Sequence, residues 1–85
     1  MIVKIDYKRI YLTIDGENAK MECWGASTKH PDSIFYFSNY KKSPMQSIEE
    51  NMYMWLLECA TKKMWFCHGL DVIEIANKFK RIANL

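Results

Sequence analysis

The dipeptide Asp15-Gly16 is the strongest local structural signal in this chain of 85 residues. An Asp-Gly pair between two segments of alternating apolar and polar residues is typical of a two-residue β-hairpin turn. With these two residues as the turn, Ile14 faces Glu17, and one side of the hairpin becomes apolar: Ile10, Leu12, Ala19 and Met21. The other side is polar but carries aromatic rings: Arg9, Tyr11, Thr13, Lys20, Glu22 and Trp24. The sequence therefore predicts an antiparallel hairpin with one core side.

The segment before this hairpin also alternates, but with the opposite parity. Val3, Ile5 and Tyr7 share one side of a predicted strand, whereas the next apolar residues begin at Ile10. The register must therefore change at Lys8-Arg9. Either a bulge in one long strand or a tight connection between two strands would do this. We favour the bulge, because neither Lys nor Arg suits a two-residue hairpin turn.

A third strand is predicted over residues 33–40, after a loop that contains Pro31. Phe35 and Phe37 point to one side, and Ile34 and Tyr36 point to the other. Because both sides are apolar, the strand is either central in the sheet, or has one side on a helix and the other on a partner.

A long helix is predicted from Ser43 to Lys63, with Ser43 as its N-cap and Pro44 in its first turn. Its apolar residues recur at helical spacing and form one stripe: Ile48, Met52, Trp55, Leu56 and Cys59. Three more, Tyr53, Met54 and Leu57, widen this stripe beyond what one sheet needs. They are predicted either to form a protein interface or to be covered by the chain's own sheet and second helix.

The last part of the chain contains an ambiguous segment and a second helix. Met64–His68 could prolong the first helix or form a further strand. Asp71 is the predicted N-cap of a helix that reaches Asn84, with this buried stripe: Val72, Ile75, Ala76, Phe79, Ile82 and Ala83. The prediction is one α+β domain over residues 1–85, with a mostly antiparallel sheet of three to four strands, two helices and the order β-β-β-α-β-α.

Composition excludes several functional classes. The net charge is +2, and the excess lies in residues 1–42, which carry seven basic and five acidic side chains. This charge argues against an acidic DNA mimic. No signal peptide and no membrane-spanning run are visible, so a cytoplasmic protein is expected. The three cysteines, Cys23, Cys59 and Cys67, have irregular spacing and are interpreted as reduced, mostly buried thiols.

No catalytic or metal-binding motif is present, so we expect neither an enzyme nor a cofactor. Zinc ligands normally occur as pairs separated by a few residues, and Cys59, Cys67 and His68 do not follow this spacing. Neither a nucleophile elbow nor a phosphate-binding loop occurs.

Basic residues lie in pairs beside aromatic ones, a pattern that can hold single-stranded nucleic acid by phosphate contacts and base stacking. The candidate nucleic-acid-binding residues are Lys8, Arg9, Tyr11, Lys20, Trp24, Tyr40, Lys41 and Lys42. The competing interpretation is that the lysines face solvent while the aromatic side chains fill the core.

A small domain rich in Met, Lys, Tyr and Trp, without a catalytic signature, resembles the accessory proteins of T-even-type bacteriophages. The order of its elements also resembles that of small bacterial immunity proteins. The resemblance implies a stoichiometric inhibitor of a host defence or toxin protein, acting alone or with RNA, in the host cytoplasm if phage-encoded. An RNA or single-stranded nucleic-acid binder is the second expectation, and a self-associating structural protein, hence a homo-oligomer, is the third.

Overall fold

A computed structural model describes residues 2–25, 28–38, 43–63 and 69–85, and these residues form four strands and two helices. The elements are β1 (Ile2–Tyr7), β2 (Ile10–Asp15), β3 (Asn18–Cys23), β4 (Ser33–Ser38), α1 (Ile48–Lys63) and α2 (Gly69–Ile82). The strands form one antiparallel sheet in the order β1-β2-β3-β4. The predicted α+β class, a small antiparallel sheet packed by two helices, is confirmed. The ambiguous segment Met64–His68 lies outside the described residues.

The register change at Lys8-Arg9 is a two-residue turn, so the predicted bulge is wrong. Tyr7 lies opposite Ile10, and β1 and β2 form a tight hairpin. Lys8 has a φ of +57°, a left-handed conformation that is uncommon for lysine. Its ammonium lies 3.3 Å from the Asp71 carboxylate on α2 and 5.5 Å from the centre of the Tyr7 ring. These side-chain contacts support a turn that local propensity alone does not favour.

The second hairpin turns one residue later than the sequence predicts. Asp15 lies opposite Asn18, so Gly16 and Glu17 are the turn residues. Gly16 has a φ of +63°, and type II′ hairpin turns need glycine at this first central position. The pairing shifts by two residues, and because side chains alternate with a period of two, the predicted core side is unchanged. Its members are buried as predicted: Ile10, Leu12, Ala19 and Met21.

Among the four described strands, β4 lies at an edge of the sheet. The side chain of Phe37 is buried, and its ring centre lies 5.5 Å from that of Trp55 on α1. Ile34 and Tyr36, on the opposite side of the strand, are exposed. The placement of one side against a helix is therefore confirmed. Residues 39–40 of the predicted strand lie outside the described residues.

The helix α1 begins at Ile48, one turn after the predicted cap at Ser43. Ser47 is the N-cap: Glu50 N–H donates to Ser47 Oγ at 3.1 Å, and Ser47 N–H donates to Glu50 Oε1 at 3.2 Å. This reciprocal capping box satisfies two backbone donors, whereas Ser43 Oγ accepts only the Met45 N–H, at 3.3 Å. The stronger cap sets the start of the helix. The described part of α1 runs to Lys63, and the residues that follow lie outside the described ranges.

The two helices pack against the core side of the sheet and against each other. The predicted apolar stripe of α1 is confirmed. Four of its residues are buried, namely Met52, Trp55, Leu56 and Cys59, and Ile48 is half-buried. The helix α2 begins at Gly69, so Asp71 lies within its first turn and not at the cap. Its buried residues are Val72, Ile75, Ala76 and Phe79, as predicted. Ile82 is 59% exposed, because it is the last helical residue and lines an open cleft.

Candidate functional site

The sheet has one side under the helices and one open side, which we call the outer face. The outer face consists of the strand residues whose side chains alternate away from the buried ones. Residues that lie directly opposite one another form rows across the four strands. One row consists of Lys4, Thr13, Lys20 and Tyr36, and the next consists of Asp6, Tyr11, Glu22 and Ile34. All of these side chains are exposed or half-buried. The outer face is therefore a polar surface in which aromatic and apolar side chains are set at intervals.

A shallow cleft of about 410 Å³ opens on the outer face near the Lys8-Arg9 turn, and we call it the Tyr11 cleft. It is lined by Arg9, Tyr11, Glu22, Trp24 and Thr28. The backbone fixes this group, because Trp24 N–H donates to Arg9 O at 2.9 Å and Tyr11 lies opposite Glu22. Two aromatic rings, a guanidinium and a carboxylate thus converge on one concavity.

The loop after β3 is held close to this cleft. Asp32 N–H donates to Cys23 O at 2.9 Å. The Asp32 carboxylate occupies the space that a Cβ on residue 25 would need, so this close approach depends on Gly25. Burial, together with the charge of Asp32, raises the pKa of the Cys23 thiol to about 11. Cys23 is therefore protonated at neutral pH and is a poor nucleophile.

Charges on the outer face are balanced. The described strands and the Lys8-Arg9 turn bring three cations and three anions to it: Lys4, Arg9 and Lys20, and Asp6, Asp15 and Glu22. Lys20 Nζ lies 3.6 Å from Glu22 Oε1, so part of the positive charge beside the cleft is already neutralised within the protein. A polyphosphate would meet carboxylates as often as cations here.

The structure brings together some of the predicted nucleic-acid-binding residues and separates others. Arg9, Tyr11 and Trp24 line the Tyr11 cleft, and Lys20 lies beside it. Lys8 instead turns toward α2 and pairs with Asp71. The remaining candidates, Tyr40, Lys41 and Lys42, lie outside the described residues.

Sequence reasoning did not select four residues that belong to this surface: Glu22, Thr28, Ile34 and Tyr36. Glu22 and Thr28 line the cleft, while Ile34 and Tyr36 are large exposed side chains of the outer face. The alternation in β4 already placed Ile34 and Tyr36 on one side of a strand. The register that puts Tyr36 opposite Lys20 could not be read, because the loop between β3 and β4 is too long to set it.

The three predicted interface residues of α1 do not form one exposed patch. Tyr53 and Leu57 are half-buried against the core, and Lys80 of α2 lies 5.5 Å from the centre of the Tyr53 ring. Met54 is 46% exposed. A partner that contacts this helix would therefore meet Met54 first, and an interface here stays a prediction.

A second cleft, of about 320 Å³, lies between the helices and the sheet. It is lined mostly by apolar side chains, among them Val3, Met52 and Phe79, with Glu49 as its one charged member. A ligand site normally needs several polar groups to orient its ligand. This cleft offers too few of them to define a ligand.

Reactive and metal-binding groups are sparse in the described ranges. Cys23 and Cys59 are buried, as predicted, while Cys67 lies outside those ranges. Among the described side chains, no three His, Cys, Asp or Glu residues cluster in a way that could hold a metal ion. Neither α1 nor α2, as described, is long and apolar enough to cross a membrane.

Comparison of this chain with protein-family models, with curated proteins and with solved structures gave no significant match in any of the three.

Proposed function

We propose that this protein is a non-enzymatic binding domain that engages another protein through the outer face, with the Tyr11 cleft as the anchor point. The observation that carries the proposal is the convergence of Tyr11, Trp24 and Arg9 in one concavity of an open sheet face. Tyrosine, tryptophan and arginine are the residues most enriched among the energetic hot spots of protein interfaces. The Glu22 carboxylate in the same cleft adds a partner for a cationic side chain.

Charge balance favours a protein partner over a nucleic acid. Binding to a phosphate backbone gains its strength from an excess of cations. The described strands and the Lys8-Arg9 turn bring no such excess to the outer face, and Lys20 is paired with Glu22. A protein surface, which carries both signs of charge, complements this face better. The form of activity that we favour is stoichiometric inhibition of a toxin or host defence protein, which the protein would block by occupying its surface in the cytoplasm.

The test uses Tyr11→Ser, which removes an exposed ring from the cleft, and Leu70→Ser as a control. Leu70 is an exposed apolar residue of α2, in the layer opposite the outer face. Extract from the producing cells, treated with ribonuclease, is passed over each immobilised protein. We expect the parent and the control to retain the same protein in a fixed proportion, and Tyr11→Ser to lose it. The retained protein, once purified, must bind again and lose its activity when bound.

A nucleic-acid partner is the second candidate, because Tyr11 and Trp24 could stack on bases while Arg9 contacts a phosphate. It is tested by fluorescence anisotropy with a labelled single-stranded oligonucleotide at low salt. Affinity that falls steeply with salt and is lost in Tyr11→Ser would replace the protein-binding proposal. The absence of such affinity, together with retention of a protein partner, would exclude the nucleic-acid alternative.

A further inference from the structure

Among the described strands, none pairs with the outer edge of β4, and this edge has backbone groups available for pairing. Trp24 N–H donates to Arg9 O, which makes this pair a hydrogen-bonded pair of the β2–β3 ladder. Because antiparallel ladders alternate, Ala19, Met21 and Cys23 direct their backbone groups toward β4. Their partners on β4 are Phe37, Phe35 and Ser33. The other residues of β4 therefore direct their N–H and C=O groups away from the sheet: Ile34, Tyr36 and Ser38.

This edge lacks the features that natural sheets use to prevent pairing. β4 reads SIFYFS, with no charged residue and no proline, and no described strand pairs with its outer side. The opposite edge, β1, presents Lys4 and Asp6, and charged edge residues of this kind oppose strand addition. Ile34 is 42% exposed and Tyr36 is 70% exposed. An uncharged, aromatic edge strand of six residues is a site where another strand is expected to add.

We propose that two copies of this chain pair through β4, in antiparallel orientation, to form a symmetric dimer with one continuous sheet. A two-fold axis at Phe35 places Ile34 of each copy opposite Tyr36 of the other. Both residues direct their backbone groups to the free edge, so each such pair can exchange two hydrogen bonds. Their side chains lie on the outer face and form two cross-strand pairs of an aromatic and a β-branched residue, a favoured combination.

The sequence of β4 favours a second copy as the occupant. In an antiparallel pairing about a two-fold axis, the residues nearest the axis lie close to their own equivalents, so charged residues there would bring like charges together. β4 has none, and the register at Phe35 is self-complementary, because the two exposed apolar positions meet each other. The dimer also covers one side of Tyr36, the most exposed aromatic residue of the described sheet, without covering the Tyr11 cleft on β2 and β3.

The test is the mass of the protein in solution, measured by sedimentation equilibrium over a range of concentrations. The parent is expected to reach twice the chain mass and to dissociate on dilution. Tyr36→Lys, at an exposed position, should keep the fold and remain a monomer at every concentration. Ile2→Lys is the matched control, since Ile2 is an exposed apolar residue on the opposite edge, and it should dimerise like the parent.

Circular dichroism melts establish that each variant is folded, and Ile34→Lys replaces Tyr36→Lys if the latter does not fold. Amide hydrogen exchange gives an independent measurement. In the parent at high concentration, the amides of Ile34 and Tyr36 should exchange several-fold more slowly than in the Tyr36→Lys monomer.

A parent that stays monomeric at all concentrations would overturn the proposal, as would a folded Tyr36→Lys variant that still dimerises, or a loss of the dimer in Ile2→Lys. Dimerisation does not depend on the function proposed above. If the protein dimerises but its Tyr11 cleft binds no protein, the dimer proposal stands and the proposed function is wrong. If the protein is a monomer that binds another protein through Tyr11, the dimer proposal is wrong and the proposed function stands.

Discussion

The capping box at the start of α1 gives the sharpest quantitative prediction. Ser47→Ala removes the hydroxyl that accepts the Glu50 N–H at 3.1 Å. The reciprocal bond, from the Ser47 N–H to Glu50 Oε1, uses backbone and remains available. We therefore expect the loss of one N-cap interaction, about 1 kcal/mol within a usual range of about 0.5 to 2 kcal/mol. For a domain of this size, about 1 kcal/mol lowers the melting temperature by roughly 4 to 8 °C.

The matched control is Ser43→Ala, at the position that the sequence predicted as the cap. Ser43 Oγ accepts the Met45 N–H at 3.3 Å in an exposed turn before the helix. Asn51 Nδ2 donates to the Ser43 carbonyl, which the substitution leaves in place. We expect Ser43→Ala to cost less than about 0.5 kcal/mol, as is usual for exposed substitutions away from special features.

The assay is urea unfolding of the parent and both variants, followed by circular dichroism. The midpoint should shift for Ser47→Ala while the slope m stays constant, since the surface exposed on unfolding is unchanged. Equal losses of stability in the two variants would refute the assignment of Ser47 as the cap. A larger loss in Ser43→Ala would place the start of the helix one turn earlier, where the sequence predicted it.

The remaining predictions concern the C-terminus and Cys23. Leu85 N–H donates to Lys80 O at 3.0 Å and Asn84 N–H to Arg81 O at 3.3 Å, a Schellman motif with Asn84 at a φ of +60°. Asn84→Gly should therefore raise, and Asn84→Ala lower, the unfolding free energy by up to about 1 kcal/mol in thermal melts. Because burial and Asp32 raise the pKa of Cys23, its contribution to stability is fully present below pH 9.0 and is lost as the pH rises through about 11. Cys23→Ala should therefore weaken the fall in unfolding free energy between pH 9.0 and about 11, and an equal fall in parent and variant, measured by urea unfolding, would contradict this.

The sequence was informative wherever periodicity alone decides the structure. The core side of the β2–β3 hairpin was predicted correctly although its turn was misplaced, because a shift of two residues keeps every side chain on its side. The same logic explains why Arg9, Tyr11 and Trp24 do come together. They belong to one hairpin, and their shared side could be read from alternation.

The errors arose where a distant residue or a competing local signal decides the structure. Lys8 adopts a positive φ in a turn, and its ion-pair partner, Asp71, lies in the last helix. Local sequence rules cannot predict a contact between residues so far apart in the chain. Ser43 and Ser47 both carry cap signals, and only the reciprocal bond with Glu50 separates them. The place of Tyr36 on the outer face depends on a strand order and register that the sequence does not encode locally.

The exposed aromatic residues of the outer face form two separate features. A sheet with one side in water normally alternates strictly between buried apolar and exposed polar residues. β2 and β3 follow this rule at Thr13, Lys20 and Glu22, and depart from it only around the Tyr11 cleft. β4 departs from it at both Ile34 and Tyr36.

These two departures are chemically different, which suggests different partners. In the register of the sheet, Tyr11 lies between Asp6 and Glu22, so a ligand of this ring must satisfy two carboxylates. Tyr36 lies opposite Lys20, and no described strand pairs with its other side. The charged surface around Tyr11 is complementary to a different protein, whereas the uncharged edge of β4 is complementary to a second copy of the same strand. Single substitutions at Tyr11 and at Tyr36 should therefore affect partner binding and self-association independently, as expected for sites that share no contact.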